Sequence, residues 1–75
     1  SFTIPILHHD ENFIAVDKPH GLSIHNTEDP ENLLQVLERQ LKLKTLLPVH
    51  RLDKETSGIQ VLALNSSTAQ KLAQE

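Results

Sequence analysis

Apolar and polar positions along this chain fall into short blocks that can be read in turn. Thr3-Ile4-Pro5-Ile6-Leu7-His8 reads as a short strand. Proline has no N–H to give to a ladder, so Pro5 marks an edge or the strand's start. Asp10-Glu11-Asn12 is a turn cluster. Phe13-Ile14-Ala15-Val16, apolar on both faces, predicts a second strand that is central and buried. A hairpin joins the two. In Lys18-Pro19-His20-Gly21, proline presets φ at the first corner and glycine suits the fourth position, which predicts another turn.

Asp29-Pro30-Glu31 has the form of a helix start: Asp29 to cap free N–H groups, Pro30 at the first helical position, Glu31 to complement the dipole. The helix is expected to run to about Leu43 with Leu33, Leu34, Leu37 and Leu41 on one core-facing side. Pro48 cannot continue a helix, so the chain turns into an extended Val49-His50-Arg51-Leu52. Ile59 to Leu64, apolar except for Gln60, predicts a further central strand. Ser67 followed by Gln70 has capping-box spacing for a second helix carrying Ala69, Leu72 and Ala73. Asn65-Ser66-Ser67 also matches a glycosylation pattern, read here as the start of that helix. No glycine or turn follows the helix, so Glu75 is expected to be a cut rather than a natural end.

The order strand, strand, helix, strand, strand, helix gives an α+β fold with a mixed, largely antiparallel sheet and helices packed on it. Without repeats or composition shifts, residues 1–75 form a single partial domain. Its 75 residues leave it with marginal stability in isolation. There is no cysteine and no zinc-ligand spacing, which fits a cytoplasmic protein. No run of about 18 apolar residues is present, so no membrane-spanning helix is expected. The opening residues show no basic stretch before an apolar run, so no secretory signal is expected.

Seven basic residues against ten acidic ones give a net charge of −3, which by itself argues against an electrostatic RNA binder. Two phenylalanines are the only aromatics, too few for a base-stacking platform. Five histidines invite a metal site. Yet His8, His9 and Asp10 are strand neighbours that point apart, which is poor geometry for one tetrahedral ion.

The densest run of functional side chains is His50-Arg51-Leu52-Asp53-Lys54-Glu55-Thr56-Ser57-Gly58. If Val49 to Asp53 is extended, Arg51 and Asp53 share one face while His50 and Leu52 share the other. A nearby guanidinium would then favour the ionised form of Asp53, the form covalent catalysis by aspartate needs. Thr56 and Ser57 can hydrogen-bond turn backbone, and Gly58 lets the chain re-enter the sheet closely. Spacing alone equally fits a solvated loop tip.

The run HRLDKETSG resembles the HRLD-x-x-TSG signature of the RluA-like RNA pseudouridine synthases, and IQVLAL after it resembles the family's following strand. Upstream, ILHHDENFIAVDKPHGLSIH resembles the opening of the family's catalytic domain, with its KP-x-G turn. The resemblance implies that Asp53 attacks the target uridine, whose base is detached, turned within the site and rejoined through carbon. It implies that Arg51 handles the flipped-out nucleotide, and that Thr56, Ser57 and Gly58, with His50 and Leu52, bind substrate or shape the loop. No cofactor or metal is implied; the partner would be ribosomal or transfer RNA. Three departures stand out. The family's base-packing tyrosine and its basic C-terminal motif are absent, and His20 replaces a small residue in the KP-x-G turn. The segment is therefore expected to be inactive by itself. A non-catalytic RNA-binding or scaffolding relative is the alternative. The sequence specifies neither the uridine nor the oligomeric state.

Overall fold

The computed structural model describes residues 2–74. Four strands, β1 (Ile6–His9), β2 (Phe13–Lys18), β3 (Leu47–Pro48) and β4 (Gly58–Ala63), form one sheet in the order β1-β2-β4-β3. All three pairings are antiparallel. Helix α1 (Leu33–Leu41) lies between β2 and β3 in sequence, and α2 (Ser66–Ala73) follows β4. Residue 75, where the sequence suggested a cut, lies outside the described residues.

The central pair is β2–β4, in register from Phe13↔Ala63 to Lys18↔Gly58. Alternation places Ile14, Val16, Gln60 and Leu62 on one face. That face meets Leu33, Val36 and Leu37 of α1 in a core with Ile4, Leu22, Ile24 and Leu46. Two polar side chains are also fully buried in this sheet, Lys18 and Gln60. Helix α2 lies against β4 and β3, and none of its residues is fully buried.

Several elements begin elsewhere than the sequence suggested. β1 starts at Ile6; the backbone of Ile4 instead exchanges hydrogen bonds with the Gln40 side chain of α1 (2.8 and 2.9 Å). Helix α1 starts after Asn32, not at Asp29-Pro30. Asn32 and Gln35 form a reciprocal capping box, and the N–H groups of Leu33 and Leu34 bond to the carbonyls of Ser23 and Ile24. With those first-turn donors satisfied, Asp29 is left to face Lys54 instead. The helix stops at Leu41 because Lys42 adopts the left-handed conformation. Helix α2 is capped by Asn65, whose side chain accepts from Thr68 N–H, so the Ser67–Gln70 pair lies inside the helix. Asn65 does mark the helix start.

The extended strand expected over Val49 to Asp53 is not formed. β3 is only Leu47–Pro48, at the sheet edge, where a proline without an N–H is tolerated. One more rung, Val49 N–H to Val61 O (3.3 Å), follows before the chain leaves the ladder.

Candidate active site

The loop after β3 departs because side chains replace the next rungs. The imidazole Nε2 of His50 accepts from Val61 N–H (3.2 Å), occupying a strand donor that a backbone carbonyl would otherwise take. An accepting Nε2 requires the proton of the neutral ring to sit on Nδ1. From the buried face of β4, Gln60 Oε1 accepts from Leu52 N–H (3.2 Å), while its Nε2 donates to His50 O and to Val61 O. Beyond Asp53 the loop closes in a turn, Thr56 N–H to Asp53 O (2.9 Å). This bond comes from the backbone of Thr56; among the described residues, the hydroxyls of Thr56 and Ser57 make no turn bond of the kind the sequence suggested. Gly58 then begins β4 at φ +139°, a conformation that other residues rarely adopt. A Cβ there would meet Leu52 Cδ1 at 3.9 Å, so backbone conformation rather than space calls for glycine.

The other anchor is Lys18. Its side chain is fully buried, and its ammonium donates to Leu22 O (2.6 Å), Pro19 O (2.9 Å) and Lys54 O (3.1 Å). Lys54 O also accepts from Gly21 N–H (2.8 Å). The KP-x-G lysine thus ties its own turn to the loop at the residue after Asp53. Gly21, at φ +88°, supplies the left-handed corner this turn requires. Burial pushes the Lys18 ammonium below the usual lysine pKa, and the charge of Glu55 opposes that shift. His20 and Glu55, both exposed, add a contact of 3.3 Å between the same two segments.

Together these bonds bring residues 51–54 opposite residues 23–26 across an open cavity of about 260 Å³. The side chain of Asp53 is exposed, as are Arg51 and His50; Leu52 is half-buried. Among the described residues the Asp53 carboxylate accepts no hydrogen bond, and no ion pair within 4 Å joins it to Arg51. The shared strand face that would have paired them does not exist. Next to Asp53, Lys54 Nζ lies 3.3 Å from Asp29 Oδ1. Asp29 is held below the usual carboxylate pKa chiefly by the neighbouring Ser23 hydroxyl and then by Lys54, against the effect of burial. The Ser23 contact is bent or long, since neither Ser23 Oγ nor Asp29 Oδ2 has a partner in good hydrogen-bond geometry. Among the described residues no three His, Asp or Glu side chains form a group able to hold a metal ion.

Lys18 and Gln60 escaped the sequence reading as site residues. The available signal was the lone polar position of the apolar run in β4 and, in β2, a lysine in alternation with Ile14 and Val16. A buried polar group must be hydrogen-bonded, so it points to where the backbone needs a partner.

A fixed loop that holds an unpaired carboxylate at the lip of a cavity fits nucleophilic or acid–base chemistry on a bound ligand. Comparison with known proteins narrows this. Residues 12–75 match the model of the RNA pseudouridylate synthase family. An uncharacterized RNA pseudouridine synthase of Haemophilus influenzae is 36% identical over 66 residues, covering 88% of this chain and 30% of that protein. The tRNA pseudouridine synthase C of Haemophilus ducreyi is 36% identical over 76 residues, covering 96% of this chain and 31% of that protein. The chain thus spans about 30% of the length of these curated relatives. Among solved structures, human RNA pseudouridylate synthase domain containing 4 superposes with a TM-score of 0.75 at 34% identity, over 93% of this chain and 28% of that one. The HRLDKETSG loop and KP-x-G turn, held together as described, lie within the matched segment, and the chain belongs to the RNA pseudouridylate synthase family.

Proposed function

We propose that the complete protein isomerises a uridine in RNA to pseudouridine, with Asp53 as the nucleophile. The observation that carries this is the placement of Asp53. Its carboxylate is exposed at the cavity lip, while the backbone on both sides is bonded to buried side chains of the sheet. A nucleotide must leave its stack to present the glycosidic bond to such a group, and an open cavity beside the carboxylate can receive it. Uridine and pseudouridine are isomers, so the reaction needs no external reactant. Arg51, exposed beside Asp53, is assigned to contacts with the extruded nucleotide or its phosphates. His50, Leu52, Thr56 and Gly58 shape the loop through the bonds and conformation described above, and Ser57 is assigned to the same task.

The target is taken to be ribosomal or transfer RNA; the name of the Haemophilus ducreyi relative favours transfer RNA. The site of action is taken to be the cytoplasm, with which the lack of cysteine is compatible. The test is pseudouridine content of cellular RNA after exposure to the complete protein and to its Asp53→Asn variant. Product from the first and none from the second, with RNA binding retained by both, is the expected result. Equal product from both would remove Asp53 from the nucleophile's role. No product from either, with both proteins folded, would favour a non-catalytic relative.

A further inference from the structure

Gln60 is fully buried on the sheet face it shares with Ile14, Val16 and Leu62. For packing alone an amide is a poor occupant, since its desolvation is unfavourable unless its polar atoms are bonded. An aliphatic side chain of similar size would fill the space without that condition. The bonds of Gln60 show what the amide supplies instead. One of its three goes to the adjacent Val61 carbonyl; the other two leave the strand for the loop, at Leu52 N–H and His50 O. Leu52 immediately precedes Asp53. The residue that follows, Lys54, is anchored through its carbonyl by Gly21 and Lys18. Asp53 is therefore suspended between two backbone anchors, and its own carboxylate contributes none among the described residues.

We infer that Gln60 is a positioning residue for Asp53, fixing the two peptides that flank Arg51, directly ahead of Leu52 and Asp53, and so the direction in which the carboxylate enters the cavity. The inference rests on the functional reading above only for its catalytic consequence. Loss of this anchor leaves the Arg51–Leu52 peptide free to rotate while the core around residue 60 stays filled. A misplacement of about 1 Å can lower a rate by about 100-fold without altering how substrate is held.

The experiment compares the complete protein with Gln60→Leu and Gln60→Glu. It measures single-turnover pseudouridine formation, RNA affinity, thermal midpoint and amide exchange at Leu52. Gln60→Leu is expected to slow turnover by about 10- to 100-fold with RNA affinity within about threefold of the unaltered protein. Its thermal midpoint should fall modestly, since Leu52 N–H and His50 O lose their partner while the apolar packing is kept, and Leu52 N–H should exchange faster. A carboxylic acid at position 60 can both accept from Leu52 N–H and donate to His50 O, whereas a carboxylate only accepts. Burial raises a carboxyl pKa, so Gln60→Glu should regain rate as the pH falls below about 7, a recovery that Gln60→Leu lacks.

Turnover by Gln60→Leu within about twofold of the unaltered protein would overturn the inference, as would unchanged Leu52 exchange. Should Gln60→Leu fail to fold, the pH profile of Gln60→Glu decides alone, and a flat profile overturns it. Absence of product with the unaltered protein overturns the functional reading and the catalytic role of Gln60 with it. Faster Leu52 exchange in Gln60→Leu would then still establish the anchor, so the two failures are distinguishable.

Discussion

The two ends of the β2–β4 ladder solve one problem in different ways. At the Phe13–Ala63 end, the N–H groups of the β1–β2 turn are satisfied by the turn's own side chains, while Asn12 O accepts from Leu64 N–H beyond the end of β4. Asp10 Oδ1 accepts from Asn12 N–H (2.7 Å) and Phe13 N–H (3.0 Å), and Asp10 Oδ2 meets His8 Nε2 at 2.7 Å. The His8 ring stacks on Phe13, and the residues joined by these side-chain contacts lie within five of one another. At the Lys18–Gly58 end, the polar groups of the turn and loop are satisfied by Lys18, Gln60 and His50. Those bonds reach as far as 36 residues along the chain. The first end is exposed and locally determined. The second is assembled from distant segments around buried polar side chains, and it carries the cavity and Asp53. A turn whose N–H groups are met by its own side chains needs little from the rest of the fold. A loop that must hold an exposed carboxylate in one place draws its rigidity from the sheet beneath it.

If this contrast is right, damage at the loop end should lower turnover, together with stability where a buried anchor is lost, and damage at the hairpin end should act on stability alone. The largest effect expected is loss of pseudouridine formation to background in Asp53→Asn, with the thermal midpoint unchanged. Lys18→Met should come next. It leaves the carbonyls of Leu22 and Lys54 short of a donor, destabilising the fold by about 2–3 kcal/mol in urea titration and lowering turnover as well. A Lys18→Met protein with full activity would break the claim that the loop end depends on its buried anchors.

The α2 cap, near the hairpin end, offers a smaller test. Asn65→Ala should cost about 1 kcal/mol of stability, whereas Ser67→Ala should stay within about 0.5 kcal/mol. The reverse order would restore the Ser67 cap that the sequence suggested. Smallest is the acid response of the hairpin. The pKa of Asp10 is lowered from 3.8 to about 2, first by the His8 hydrogen bond and then by the N–H groups of Phe13 and Asn12. A folded value below the unfolded one gives a contribution complete above the unfolded pKa and lost as pH falls through the folded one. Asp10→Asn, which can still accept from both N–H groups, should therefore lose less stability than the unaltered protein between about pH 4 and about pH 2. Equal losses in urea midpoint would show that the turn is not held by its carboxylate.

Much of the fold was legible because it follows from local rules. The apolar runs of β2 and β4, the leucines of α1 and the Asp10 turn all arise from residues acting on near neighbours. The HRLDKETSG and KP-x-G segments were equally plain in the sequence, as was Asp53 within the first. What the sequence misplaced were choices between competing local signals. Asp29-Pro30 and Asn32-x-x-Gln35 both look like helix starts, and the second prevails because the carbonyls of Ser23 and Ile24 take the N–H groups of Leu33 and Leu34. Ser67–Gln70 likewise yields to Asn65, two residues after β4 ends.

The site itself was decided by tertiary structure. Val49 to Asp53 has the composition of a strand. It becomes a loop because His50 and Gln60 replace backbone partners, and neither exchange can be seen until β3 and β4 are side by side. Lys18 reads as one residue of a turn until its ammonium is found among three carbonyls, one of them from Lys54. Sequence fixes which side chains can carry chemistry and which backbone stretches prefer helix or strand. Which buried polar atom meets which distant N–H or carbonyl depends on the packed core, because only there is an unpartnered group too unfavourable to leave.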